Sequence, residues 1–571
     1  MAKKIFAVAF AMVLVFALVA LTSCELIPGG VHEHEFGEWE YTTVPTCKSI
    51  GARMRKCECG EYESEQLPAQ HLYDMDDVCR VCGFKEGDFF VFTWIYGESY
   101  AVSANNITDN NIEEIPEEIT IPAYHRGYPV TEINADGFMN CKDLKKVNLP
   151  DSITTIGYNA FYGCANLESI SGKSVVTIKS SAFSNCKSLK TVNLGDNITS
   201  MGQSAFSGCE SLTSAIIPQG VTVLEDGVFD SCFGITEVTI PDHITEIGAL
   251  AFSNCKNLES VTLPDSIKKM GKNPFNETKC YENLKNSSDG VVYLGSYLLT
   301  ADETVAKNYT VKEGTTVIAA VAFQGLPITD LTLPDSLVNV GVNAFADCEK
   351  LVNVDFGNGV KYISESAFRN TSVTTIYLPY SIEHIGSKAF NIDRITSSFK
   401  QDVSLPDKAI ELYRDSFYYD SSYYDETGAI YIGKHLICAY GVNPVAPFVV
   451  KEGTITIAAR AFTYGPTGRT NCVNVVLPDS LQYICDYAFS DCKSLVSVNI
   501  PKNVTYIGKY AFHGCSSLTG LTFDDPDGWY ISEVKGAIDG ITVPSESLSI
   551  PEGASKYLKS TYAKYYWTKK S

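Results

Sequence analysis

The sequence predicts a β-rich solenoid of about 14 stacked coils, each of 22–23 residues and joined along a parallel sheet, behind a small Cys/His-rich N-terminal module. Three observations carry that expectation. Phe recurs at 138, 161, 183, 206, 229, 252, 275, 323, 345, 368, 390, 462, 489 and 512, in steps of 22 or 23 residues except after 275, 390 and 462. Around each Phe lies one arrangement of apolar and turn residues. A unit this short cannot enclose its own apolar side chains, so neighbours must stack to make a core.

One unit shows the physics. Val147 and Leu149 flank Asn148, the two-residue period of a short strand with one buried face. Pro150-Asp151 then breaks the ladder and turns the chain. Ile153 and Ile156 make a second apolar edge, Gly157 supplies a tight bend, and Ala160-Phe161 fills the interior. The same order returns at Leu258–Ile267 and Leu495–Pro501.

These residues resemble the BspA-like branch of leucine-rich repeat proteins, with the pattern Leu-x-x-Val-x-Leu-Pro-x-x-Ile-x-x-Ile-Gly-x-x-Ala-Phe-x-x-Cys. The resemblance covers roughly residues 88–571 and implies a leucine-rich repeat solenoid over residues 138–523. It also implies adhesion to host matrix proteins or to other cells. Two β insertions, near residues 276–313 and 391–452, share the segments Val311-Lys312-Glu313-Gly314-Thr315 and Val450-Lys451-Glu452-Gly453-Thr454. Residues 88–137 are expected to cap the array at its start and residues 524–571 at its end, because an open solenoid end exposes core and sheet edge.

The N-terminus reads as an export segment over residues 1–23: Lys3-Lys4, an apolar run from Ile5 to Leu21, then small residues. Leu21-Thr22-Ser23-Cys24 resembles the bacterial lipobox, which implies diacylglycerol on the Cys24 thiol, a linker over residues 24–31 and a lipid-anchored, surface-exposed place on the cell envelope. The chain carries 45 basic and 67 acidic residues, a net charge of −22. That balance argues against nucleic acid as a partner. The expected membrane contact is through the lipid.

The cysteines form two classes. Nine follow a repeat Phe by three residues, among them Cys141, Cys164 and Cys515, and read as a column of small buried thiols. The others of interest lie in residues 32–86. There Cys79-Arg80-Val81-Cys82 offers two thiolates to one tetrahedral metal, and Cys57-Glu58-Cys59 does so one residue short. With Cys47 and His71 this segment resembles zinc-ribbon-like modules, which implies a structural zinc on Cys47, Cys57, Cys59, His71, Cys79 and Cys82; disulfides are the alternative.

Nothing in the sequence supports catalysis. Of the eight His, His32, His34 and His71 lie in the N-terminal module and the other five fall at different phases of the repeat, and phosphate-binding, dinucleotide and H-E-x-x-H motifs are absent. Asp151, Asp242, Asp265, Asp335 and Asp479 all occupy the turn after Pro, where Asp is a turn residue. On the outward phase of the strand most residues are Asn, Ser or Thr, whereas Ile216, Tyr377 and Val476 are apolar. An extended face with occasional apolar anchors suits protein binding. The expected function is therefore surface binding or adhesion, with a structural or glycan-binding envelope protein as the alternative.

Overall fold

A computed structural model of the chain describes residues 40–43, 51–56, 62–67, 90–95, 99–104, 115–286, 290–391, 402–406, 409, 411–417, 424–439, 447–463, 473–535 and 540–570. The chain divides into two compact units, Met1–Met201 and Gly202–Ser571. Both are built as a parallel-sheet β-solenoid, with about 15 turns counted over the two.

In the first unit, Glu40–Thr43, Gly51–Lys56 and Tyr62–Leu67 form a three-stranded antiparallel sheet. The solenoid then runs on two ladders, not the single sheet that the alternation predicts. Three-residue strands Glu118–Thr120, Lys146–Asn148, Ser169–Ser171 and Thr191–Asn193 make the first ladder. Two-residue strands Thr155–Ile156, Thr177–Ile178 and Ser200–Met201 continue a second ladder that begins with the hairpin of Phe90–Ile95 and Ser99–Ala104, whose second strand pairs in parallel with Tyr128–Ile133. The second ladder is the apolar edge of Ile153 and Ile156, too short to show a strand period in sequence. Both ladders reach into the stretch expected to cap the array, the second from Ser99 and the first from Glu118, because each repeat Phe closes the coil whose strands precede it.

The repeat Phe occupies the third side of each coil. Phe138, Phe161 and Phe183 are buried and stack at centroid separations of 5.3 and 5.4 Å. Backbone bonds also link this side to the next coil: Phe161 N–H donates to Ala182 O at 2.7 Å and Gly163 N–H to Ser184 O at 2.8 Å. Two left-handed residues bracket each turn, Asn159 at φ 50° and Gly163 at φ 70° in this coil. The same two positions carry Asn, Ser, Asp or Gly in most coils, the residues that tolerate this conformation. Gly157 has a different reason: a Cβ there would lie 2.5 Å from Ile133 O of the preceding coil.

The second unit repeats this plan around two hairpins, Val291–Leu294 with Tyr297–Ala301 and Ala429–Ile432 with His435–Ala439. They do not leave the stack. Tyr297 pairs in parallel with Val317, and His435 with Thr456, so each hairpin supplies the short strand that starts a fresh second ladder. Each is pinned alike. Lys312 N–H donates to Tyr293 Oη at 3.3 Å and Lys451 N–H to Tyr431 Oη at 3.2 Å, with both ammonium groups 4.4 Å above those rings. At the C-terminal end Tyr566–Lys569 pairs antiparallel with Tyr506–Ile507, and Trp529 and Trp567 are buried behind it. Among the described residues, no helix is long and apolar enough to cross a membrane.

Candidate binding surface

The first ladder turns the middle residue of each strand inward and its neighbours outward, as Lys146–Asn148 shows: Val147 is fully buried and Lys146 exposed. The outward Asn, Ser and Thr residues bond to one another along the stack. Asn148 Nδ2 donates to Glu118 Oε1 at 3.0 Å and Ser171 Oγ to Asn148 Oδ1 at 3.1 Å. Farther on, Asn353 Nδ2 donates to Asp330 Oδ1 at 2.7 Å and Thr522 Oγ1 to Asn499 Oδ1 at 2.6 Å. Much of the polar character of this face is thus spent internally, which leaves the apolar exceptions as its distinctive features.

Tyr377 and Val476 stand on this face as the sequence predicts, 62% and 49% exposed, and Tyr380 beside the first is 68% exposed. Ile216 differs. It is half-buried and outside any strand, because Ala215 replaces the large inward residue and the three-residue strand does not form there. Cys24, Cys47, Cys57, Cys59, His71, Cys79 and Cys82 lie outside the described residues.

The cysteine column has a role that sequence reasoning missed. Cys164 Sγ donates to Phe138 O of the preceding coil at 3.0 Å, Cys186 to Phe161 O at 3.1 Å, Cys348 to Phe323 O at 3.0 Å and Cys515 to Phe489 O at 3.0 Å. These thiols add a second donor to carbonyls that already accept a backbone N–H within the turn, such as Cys141 N–H to Phe138 O at 3.3 Å, and so tie each coil to the one before it. Where Cys is absent, Thr278 and Thr371 stand at the same spacing, and their hydroxyls bond within their own coil instead, to Phe275 O and Phe368 O three residues back. Burial pushes the Cys255 and Cys348 thiols up to about 12, so they are poor nucleophiles.

The described His residues serve separate structural ends. His125 stacks on Phe92 at 4.0 Å, and burial lowers its pKa to about 4. His243 Nε2 lies 3.2 Å from Pro218 O and His435 Nε2 lies 3.1 Å from Pro406 O. His384 Nδ1 lies 2.9 Å from Glu411 Oε2, which also takes Lys535 Nζ at 2.6 Å. Burial raises the Glu411 pKa, but the His384 hydrogen bond and the Lys535 ammonium outweigh it and hold the carboxyl down to about 2. This trio ties the C-terminal segment to the second ladder.

Two hydrogen-bonded parallel ladders, a stacked aromatic column and an exposed strand face define a repeat scaffold of the leucine-rich kind. The chain belongs to the BspA type leucine-rich repeat family, whose profile matches residues 116–236, 225–319, 316–424 and 446–533 in six copies. No curated protein matches significantly. A leucine-rich repeat protein of T. pallidum is 26% identical over 31% of this chain and 81% of its own, with a TM-score of 0.29. A leucine-rich cell surface protein of Faecalibacterium prausnitzii is 22% identical over 77% of this chain and 94% of its own, with a TM-score of 0.32. The pneumococcal vaccine antigen PcpA is 17% identical over 58% of this chain and 90% of its own, with a TM-score of 0.28. With such overlays the family assignment rests on the repeat profile alone.

Proposed function

We propose that this protein is a lipid-anchored surface adhesin that binds host matrix or cell-surface proteins through the outward face of its first ladder, without bond chemistry. The observation that carries the reading is the exposure of Tyr377 and Val476 on a face whose polar side chains largely bond to one another. An aromatic or branched apolar side chain is a suitable anchor, because it contributes contact area with few rotamers to freeze. Membership of the BspA type family and the cell-surface description of the Faecalibacterium prausnitzii relative are consistent with this location.

The test is binding of the purified chain to immobilised fibronectin and fibrinogen, compared with a glycan array. Protein binding that weakens in the Tyr377→Ala/Val476→Ser double variant supports the reading; glycan binding alone overturns it. Anchoring is checked by incorporation of labelled palmitate, which Cys24→Ala should abolish. A structural zinc held by Cys47, Cys57, Cys59, His71, Cys79 and Cys82 is checked by metal analysis of the purified chain.

A further inference from the structure

Each hairpin interrupts the second ladder, and the two interruptions are built alike. At the first, Lys269–Met270 ends one ladder and Val317–Ile318 belongs to the next, with Ala320 N–H donating across to Met270 O at 2.9 Å. At the second, Ala459 N–H donates to Leu412 O at 2.6 Å. By position in the coil, Lys269, Gly271, Ala320 and Val342 correspond to Glu411, Tyr413, Ala459 and Asp486.

The two creases differ in what fills them. In the second, Tyr413 stands where the first has Gly271, and Lys535 enters from the C-terminal segment onto Glu411, leaving about 10 Å³. The first is an open groove of about 360 Å³. Its walls include Val321 and Val342. Val321 is a β-branched residue held at φ 58°, in the left-handed region that such side chains disfavour. Val342 is 42% exposed.

The charges in the open crease indicate what it receives. Asp226 Oδ1 already accepts Ala249 N–H at 2.6 Å, and Glu246 pairs with Lys269 at 3.4 Å. Lys272 forms no ion pair among the described residues. Where the filled crease presents Glu411 to an incoming lysine, the open one presents the Lys272 ammonium beside the Lys269–Glu246 pair.

We propose that the first crease is a docking groove for an extended, carboxylate-bearing segment of a partner polypeptide, seated as Lys535 is seated in its twin but with the charges reversed. The acid meets Lys272, with Lys269 shared between it and Glu246, and apolar neighbours pack on Val321 and Val342. This site is separate from the exposed strand face and stands or falls independently of it.

The experiment measures fluorescence anisotropy of two labelled decapeptides on the full chain, one alternating Val with Glu and the other Val with Lys. The net charge of −22 makes general electrostatics favour the Lys probe, so a preference for the Glu probe is diagnostic. The Glu probe is expected to bind at least about fivefold more tightly. Lys269→Glu/Lys272→Glu should reverse the preference, Val342→Trp should weaken binding of the Glu probe by a similar factor, and Tyr377→Ala should leave it unchanged. Equal or preferred binding of the Lys probe, no binding of either probe, or a Glu-probe affinity indifferent to Val342→Trp would overturn the proposal.

Discussion

Cys164 Sγ donates a hydrogen bond to the carbonyl oxygen of Phe138, 26 residues earlier and one coil back, at 3.0 Å. The stacked ring and the thiol of a repeat are thus parts of one joint. Replacing Cys164 by Val keeps apolar volume but removes the bond to the preceding coil, leaving Phe138 O its in-turn bond from Cys141 N–H at 3.3 Å, at a cost of about 0.5–1.5 kcal/mol. Cys164→Thr also loses the tie to Phe138, but its hydroxyl can bond the Phe of its own coil, here Phe161 O, as Thr278 and Thr371 do in theirs, and it should be milder. Urea denaturation of the two variants checks the order.

The raised thiol pKa values predict protection from alkylation. Cys255 and Cys348 titrate near 12, so at pH 8 almost none of either is thiolate. Iodoacetamide on the folded chain should leave both unmodified, and labelling should appear once denaturant unfolds it. Peptide mass mapping reads both states.

The Glu411–Lys535 contact predicts a pH-dependent loss. Because the folded pKa of Glu411 lies near 2, below its ordinary 4.5, its stabilisation is present above 4.5 and lost as pH falls toward 2. Lys535→Met should cost about 1–2 kcal/mol at pH 7, less than a fully buried pair would, because both side chains keep some exposure. The gap from the wild-type chain should narrow at pH 3, as melting curves at the two pH values would show.

Gly157→Ala tests the close approach of neighbouring coils. The added methyl would stand 2.5 Å from Ile133 O, so backbone must shift, with a loss of about 2–4 kcal/mol. Gly314→Ala, with nothing within 4 Å but φ +86°, should cost only about 1 kcal/mol. Thermal melts of the pair separate crowding from conformational strain.

The repeat was legible because Phe, Pro, Gly and Cys each answer a local demand that recurs every 22 or 23 residues. The second ladder was not, since two residues such as Thr155–Ile156 are too few to show alternation. Tyr377 and Val476 could be placed by phase, whereas Ile216 could not, because Ala215 removes the inward anchor that forms its strand. The thiol-to-carbonyl bond was hidden by an adequate simpler reading, a small apolar residue in a core. The creases lay beyond sequence altogether: they arise where two hairpins restart a ladder, a consequence of pairing between distant segments.

The most direct test of the stacked-coil account is a pair of deletions in the second unit. Thr239 and Thr262 are register partners, so removing residues 239–261 excises one complete coil and rejoins equivalent positions. That chain should fold, with its circular dichroism and cooperative melt retained. Removing residues 239–250 instead joins opposite sides of a coil and should abolish folding. If both deletions prove equally destructive, or equally harmless, the coils are not interchangeable stacked units and the account is contradicted.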